Sequence, residues 1–157
     1  MRITAKVDYA VRAGAELAAA QIGADGERSP LKAEVIATAQ DVPHRFLEGI
    51  LGELRRAGIV ASQRGSDGGY WLARPAAEVS VADIIRAVEG PLADVHGEPP
   101  EQVSYSGAAS ELQRVWVATR VALRSVLEET SLADIAEGAL PDGVSALADE
   151  PDGWIRR

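Results

Sequence analysis

Five arginines fall between Val42 and Pro75, at positions 45, 55, 56, 64 and 74, against three acidic residues, Glu48, Glu53 and Asp67. Arg45 and Glu48 stand three residues apart with His44 just before them, a spacing that puts Arg45 and Glu48 on one side of a helix. Such groups can read base edges. A guanidinium bridges the two acceptors of a guanine, and a carboxylate accepts from a cytosine amino group. Arg64 leads directly into Gly65, Ser66, Asp67, Gly68 and Gly69, followed by Tyr70. A glycine-rich turn lets backbone N–H groups approach a phosphate with no Cβ in the way. Arginine is also favoured in a narrow, strongly negative minor groove.

Each residue has a plainer reading beside this one. His44, Arg45 and Glu48 can form a solvated face. The glycines make a turn whatever the function, and Tyr70 fits half core and half hairpin. Arg55 and Arg56 can pair with acids as readily as with phosphates. Thr4 and Lys6 open the first helix, whose N-terminal end can face a phosphate backbone. Asp8 reads as an exposed or capping acid, and His96 as a residue of an acidic loop.

These groups need elements to hold them. Val7, Ala10, Val11, Gly14, Leu17 and Ala18 recur at helical spacing and predict a helix from Thr4 to about Ala20. Ser29 and Pro30 suit the N-cap and first position of a short second helix with Val35, Ile36 and Ala39 inward. After a break at Gln40–Val42, Pro43 opens a third helix from His44 to Ala57. Its inward stripe is Phe46, Leu47, Ile50, Leu51 and Leu54, and Gly58 ends it. IVASQR, GSDGG and YWLAR then read as a hairpin. Ser80 to Asp83 caps a fourth helix, stopped by Gly90 and Pro91. Residues 91–107 lack a period and predict a long loop.

A fifth helix, from about Ala108 to Thr130, carries Leu112, Val115, Trp116, Thr119, Ala122, Leu123, Val126 and Leu127 near heptad spacing. Ser131 to Asp134 caps a last short helix ending at Gly138, and the tail from Leu140 reads as loosely held. The expected organisation is therefore 1–90 as one domain, 91–107 as a loop, 108–138 as a dimerisation unit and 139–157 as a tail. The fold class is mainly α with a small β-hairpin. The fifth helix has too long an apolar stripe to bury against so small a domain. Its dimer face is expected at Leu112, Val115, Trp116, Thr119, Leu123 and Val126.

Composition removes many functions. The 157 residues include no cysteine and two histidines, His44 and His96. Disulfides, thiolate nucleophiles, thiolate zinc sites and all-Cys clusters are excluded. No catalytic triad, paired catalytic carboxylates or phosphate-binding Gly-Lys-Ser/Thr motif is evident, so no enzyme and no cofactor are expected. The net charge of −8 is uneven: residues 1–75 sum to +1 and 76–157 to −9. The N-terminal half can carry a local basic face while the remainder supplies solubility. The first residues are charged throughout and lack an apolar block, so cytoplasm is the expected compartment and a membrane is not an expected partner.

A helix–turn–helix followed by a glycine-tipped hairpin is the order of a winged helix, and its chemistry suits double-stranded DNA. The chain resembles the IscR/NsrR/CymR (Rrf-two) family of bacterial winged helix-turn-helix regulators. The resemblance rests on MRITAKVDYAVRA, FLEGILGELRRAGIVASQRGSDGGYWLARP and VSVADIIRAVEGPL, and covers roughly Met1 to Leu92. It implies a homodimeric repressor on a palindromic operator, with a long dimerisation helix. It places Glu48 at the family's base-reading glutamate, whereas Gly49 replaces a longer polar residue. It also sets Asp8 where nitric-oxide-sensing members hold a cluster ligand. The three cysteines of cluster-binding members are absent, so the resemblance implies a cluster-free member. The signal stays open: a small metabolite, a partner enzyme, or none. Two further readings stand beside it, a winged-helix module that binds protein and a redox or metal sensor using Asp8.

Overall fold

The computed structural model describes residues 3–155; Met1, Arg2, Arg156 and Arg157, which belong to the N-terminal motif and the tail, lie outside the described residues. Among the described residues, seven α-helices and one hairpin follow in order: α1 Ala5–Gly23, α2 Ala33–Gln40, α3 His44–Arg56, β1 Val60–Gln63, β2 Gly69–Leu72, α4 Val81–Glu89, α5 Leu112–Leu127, α6 Leu132–Glu137 and α7 Asp142–Ala148.

The core forms where the apolar faces of α1, α2, α3 and α4 meet. Leu17, Ile36, Leu47, Ile50, Leu51, Leu54 and Ile84 are all buried in one cluster. Completely burying such a side chain contributes about 1.5–3 kcal/mol. Val79 and Leu132 belong to the same cluster, so α6 returns to the N-terminal core rather than extending away with α5. Gly14 makes room for it: a Cβ there would lie 3.0 Å from Leu132 Cδ1. Ser80 and Ser131 each close a capping box with Asp83 and Asp134, as their spacing predicts.

Several expectations are corrected. α1 runs one turn further, to Gly23, with Thr4 as its N-cap. The second helix does not begin at Ser29–Pro30. Leu31 instead exchanges backbone hydrogen bonds with Tyr70, both 2.8 Å, and α2 starts at Ala33. Competition from the hairpin edge therefore outweighs the local cap signal. Within α2, Ala33, Ile36 and Ala37 face inward, while Val35 is 51% exposed and Ala39 is exposed. Phe46 is 50% exposed, because the first turn of α3 projects past the core; its ring meets Tyr9 edge-on at 5.8 Å.

Segment 91–107 is not structureless. It holds a bridge between Val95 and Glu98 and a 3₁₀ turn at Pro100–Gln102, and a second turn covers Gly107–Ala109. Gln113 Nε2 donates to the carbonyls of Glu101 (3.1 Å) and Val103 (2.6 Å), which docks the segment on α5. α5 accordingly begins at Leu112, not Ala108, and ends at Leu127. The tail expected to be loose contains α7 and a 3₁₀ turn at Pro151–Trp154, where the Trp154 indole donates to Ala148 O at 2.6 Å.

Candidate nucleic-acid interface

The connection from α2 to α3 is tight. Asp41 adopts a left-handed conformation at φ 49°, and Val42 N donates to Ala37 O at 3.0 Å, which buries Val42. Pro43 then caps α3. With Leu47, Ile50, Leu51 and Leu54 turned inward, His44, Arg45, Glu48, Gly49, Arg55 and Arg56 lie toward solvent. Arg45 and Arg56 have no side-chain hydrogen bond or ion pair among the described residues, so their guanidinium groups are available. His44 sits between two carboxylates, with Nδ1 4.0 Å from Glu48 Oε2. Its Nε2 lies 3.5 Å from Glu34 Oε1 but without hydrogen-bond geometry.

The helix ends where the wing begins. Gly58 N donates to Arg55 O and Ile59 N to Leu54 O, both 3.0 Å, and this 5→2, 6→1 pair turns the chain into β1. β1 and β2 pair antiparallel from Val60↔Leu72 to Gln63↔Gly69. Arg64, Gly65, Ser66, Asp67 and Gly68 therefore form the tip, and the first four are exposed. Arg64 also lacks a side-chain partner among the described residues. Tyr70 is half-buried where the Leu31 bridge crosses β2.

Two glycines are sterically required. A Cβ at Gly68 would stand 2.1 Å from Gln63 O, and one at Gly69 would stand 2.6 Å from Leu31 O. Both obstacles are backbone. Gly68→Ala is expected to distort the tip, lowering the melting temperature by about a few degrees, and to weaken DNA binding about tenfold or more; DNA titration and thermal melting check this. Unchanged affinity would show that the tip is not a contact.

Arg28 and Lys32, which sequence reasoning passed over, fix the wing together with Arg55. Lys32 Nζ donates to Gly65 O at 2.5 Å. Arg28 donates to Gln63 Oε1 and lies 3.9 Å from the Trp71 ring centroid. Arg55 Nη1 donates to Ser62 Oγ at 3.2 Å, which ties α3 to β1. Arg28 and Lys32 are 30 or more residues from the tip in sequence, and only the Leu31–Tyr70 bridge brings them there. Arg28, Lys32, Arg45, Arg55, Arg56 and Arg64 thus concentrate positive charge on α3, the wing and the edge beside it.

Thr4 and Lys6 are engaged internally. Thr4 Oγ1 accepts from Val7 N and donates to Glu89 Oε1 at 2.8 Å. Lys6 Nζ pairs with Glu53 at 2.8 Å and donates to Val88 O at 2.7 Å, joining α1 to α3 and α4. Thr4 thereby ties the start of α1 to the end of α4, and Lys6 holds α1 against both α3 and α4.

A tight helix–turn–helix, a projecting helix with unpaired arginines and a braced two-stranded wing define a winged-helix DNA-binding protein. The chain belongs to the Rrf2 family, whose model, described as an iron-dependent transcriptional regulator, matches residues 3–138; it is a DNA-binding transcriptional regulator. It is 48% identical over 150 residues to Rv1287 of Mycobacterium tuberculosis, named as an HTH-type transcriptional regulator, covering 96% of this chain and 90% of that protein. Among solved structures, CymR, the global cysteine regulator of B. subtilis, superposes with a TM-score of 0.71 at 30% identity, covering 88% of this chain and 98% of its own. IscR of T. potens gives 0.66 at 27% identity, covering 100% of this chain and 93% of its own.

The family description names iron, and the donor set here does not fit an iron–sulfur cluster. The chain has no cysteine, and segment 91–107 offers His96 as its one imidazole. Among the described residues, no three His, Asp or Glu side chains gather where a metal could sit. Asp8, the position that cluster-binding relatives suggested, is 3.1 Å from Arg12 Nη1 and is held there as an ion pair. No helix among the described residues is long and apolar enough to cross a membrane.

Proposed function

We propose that the protein is a cytoplasmic homodimeric repressor that grips a palindromic operator and blocks the promoter by occupying it. Two copies of α3 enter successive major grooves about 34 Å apart, and the wings reach the flanking minor grooves. Arg45 and Glu48 read bases, Arg64 enters the minor groove, and the tip from Gly65 to Gly69 approaches phosphates. Arg55, Arg56 and His44 flank the groove, while Thr4 and Lys6 lie at the edge of the contact. The reading is carried by one observation: Arg45 and Arg64 project unpaired from α3 and from the wing, which Arg55–Ser62 ties together while Lys32–Gly65 anchors the tip to the start of α2.

α5 supports the dimer. Not one of its 16 residues is buried, and Val115 is 52% exposed on the stripe with Leu112, Trp116, Thr119, Leu123 and Val126. A helix of this length, about 24 Å, with such a stripe gains most by packing on its own copy across a two-fold axis. The signal is a small metabolite or a partner enzyme acting through segment 91–107, or binding is constitutive, with no cluster involved.

The test is anisotropy or gel shift with DNA from upstream of the protein's own gene. Each phosphate contact releases counterions, so affinity is expected to fall about 10³-fold or more between roughly 50 and 200 mM salt. Absent or salt-insensitive binding to every neighbouring intergenic fragment would contradict the reading.

A further inference from the structure

Four arginines occur between residues 76 and 155, a stretch that is otherwise strongly acidic. Three of them, Arg86 on α4 and Arg120 and Arg124 on α5, line a single cavity of about 230 Å³ whose remaining wall is segment 91–101. Such a volume lies below the roughly 300–1,000 Å³ of sites for drug-sized ligands and suits a small metabolite. Isolated surface pairs would scatter these cations; here they converge.

The ion pairs around the cavity do not use up the donors. Glu128 Oε1 is shared, accepting from Arg86 and lying 3.5 Å from Arg124 Nε. Arg120 Nη1 meets Glu101 Oε2 at 2.5 Å. Glu101 is held below the ordinary carboxylate range by its own backbone N–H and then by Arg120, so it stays ionised there. Arg120 is only 17% exposed, and its Nε is buried with no acceptor among the described residues. The Nη donors that these ion pairs leave free are the groups an oxyanion entering the cavity would meet. Asp94, the other acid of the lining, is exposed to solvent.

We propose that this cavity binds a small organic anion with two or more anionic groups, carboxylate or phosphate, held by Arg120, Arg124 and Arg86 between α4 and α5. Fork-shaped guanidinium donors match both groups. α4 packs against α1 and α3, so an anion joining α4 to α5 sets the angle between the proposed dimer helix and the DNA-reading body. That regulatory consequence rests on the dimeric repressor reading; the binding site does not.

The experiment is calorimetric titration of the full chain with succinate and, separately, inorganic phosphate, at constant ionic strength set with chloride. Saturable binding of at least one probe is expected, at about 1 mM or tighter, and which probe binds tells carboxylate from phosphate chemistry. Arg120→Gln and, independently, Arg86→Gln are expected to weaken it about tenfold or more. Arg114→Gln, an exposed site off the cavity, should leave it unchanged. No saturation with either probe overturns the proposal, as does equal weakening by Arg114→Gln or full retention in Arg120→Gln. Wild-type operator affinity should shift about threefold or more with the bound probe, and that of Arg120→Gln should not. Failure of wild type to bind any operator would sink the repressor reading alone, since the calorimetry is done without DNA.

Discussion

Trp116→Asp combined with Leu123→Asp is expected to convert the proposed dimer to monomers and lower operator affinity by about 10²–10⁴-fold, the avidity of linked half-sites. α5 has no buried residue, although Leu112, Val115, Trp116, Leu123 and Val126 share its stripe. A two-fold interface presents each substitution twice, so four uncompensated carboxylates would enter one apolar seam. Sedimentation and DNA titration on the same sample read both effects. Trp116 also donates to Tyr105 Oη at 3.1 Å, so Trp116→Phe separates loss of that bond from loss of the seam and should remain dimeric. A monomeric wild type at micromolar concentration would refute the dimer. Tight operator binding by the double variant would show that another face pairs.

The second large effect is expected from Arg45→Ala combined with Arg64→Ala. Both side chains are exposed and unpaired among the described residues, so their removal costs the fold little, within about 0.5 kcal/mol. A good arginine contact to DNA is worth about 1–3 kcal/mol, and each is made twice in a dimer. Even at the lower figure the loss is about 4 kcal/mol, or close to 10³-fold. The single variants should differ in kind. Arg45→Ala should relax base preference at one position per half-site, whereas Arg64→Ala should weaken binding through the flanking A·T-rich minor groove. Unchanged affinity in the double variant would leave the exposed arginines without a function.

The parts of this arrangement that depend on local chemistry were legible in the sequence. The caps at Ser80 and Ser131, the end of α3 at Gly58 and the hairpin around Gly68 each follow from a few adjacent residues. The wing's glycines mark a turn by type alone; the structure adds that Gly68 and Gly69 are needed because backbone passes within a Cβ's reach. What depends on distant partners was not legible. Ser29 and Pro30 look like a helix start, and only the pairing of Leu31 with Tyr70 makes that stretch an edge of the hairpin. Phe46 fits the apolar period of α3, yet where the helix overruns the core is set by α1. Arg28 and Lys32 brace the wing through the same long-range bridge. The docking of α6 on Gly14 and the gathering of Arg86, Arg120 and Arg124 likewise need the whole fold.

Hydroxyl-radical footprinting of the upstream fragment, followed by interference mapping in both grooves, tests the central proposal most directly. Two major-groove contacts about 10 bp apart, centred on a dyad and flanked by minor-groove protection that Arg64→Ala removes, are predicted. Protection confined to a single groove segment with no dyad, or flanks untouched by Arg64→Ala, would contradict it.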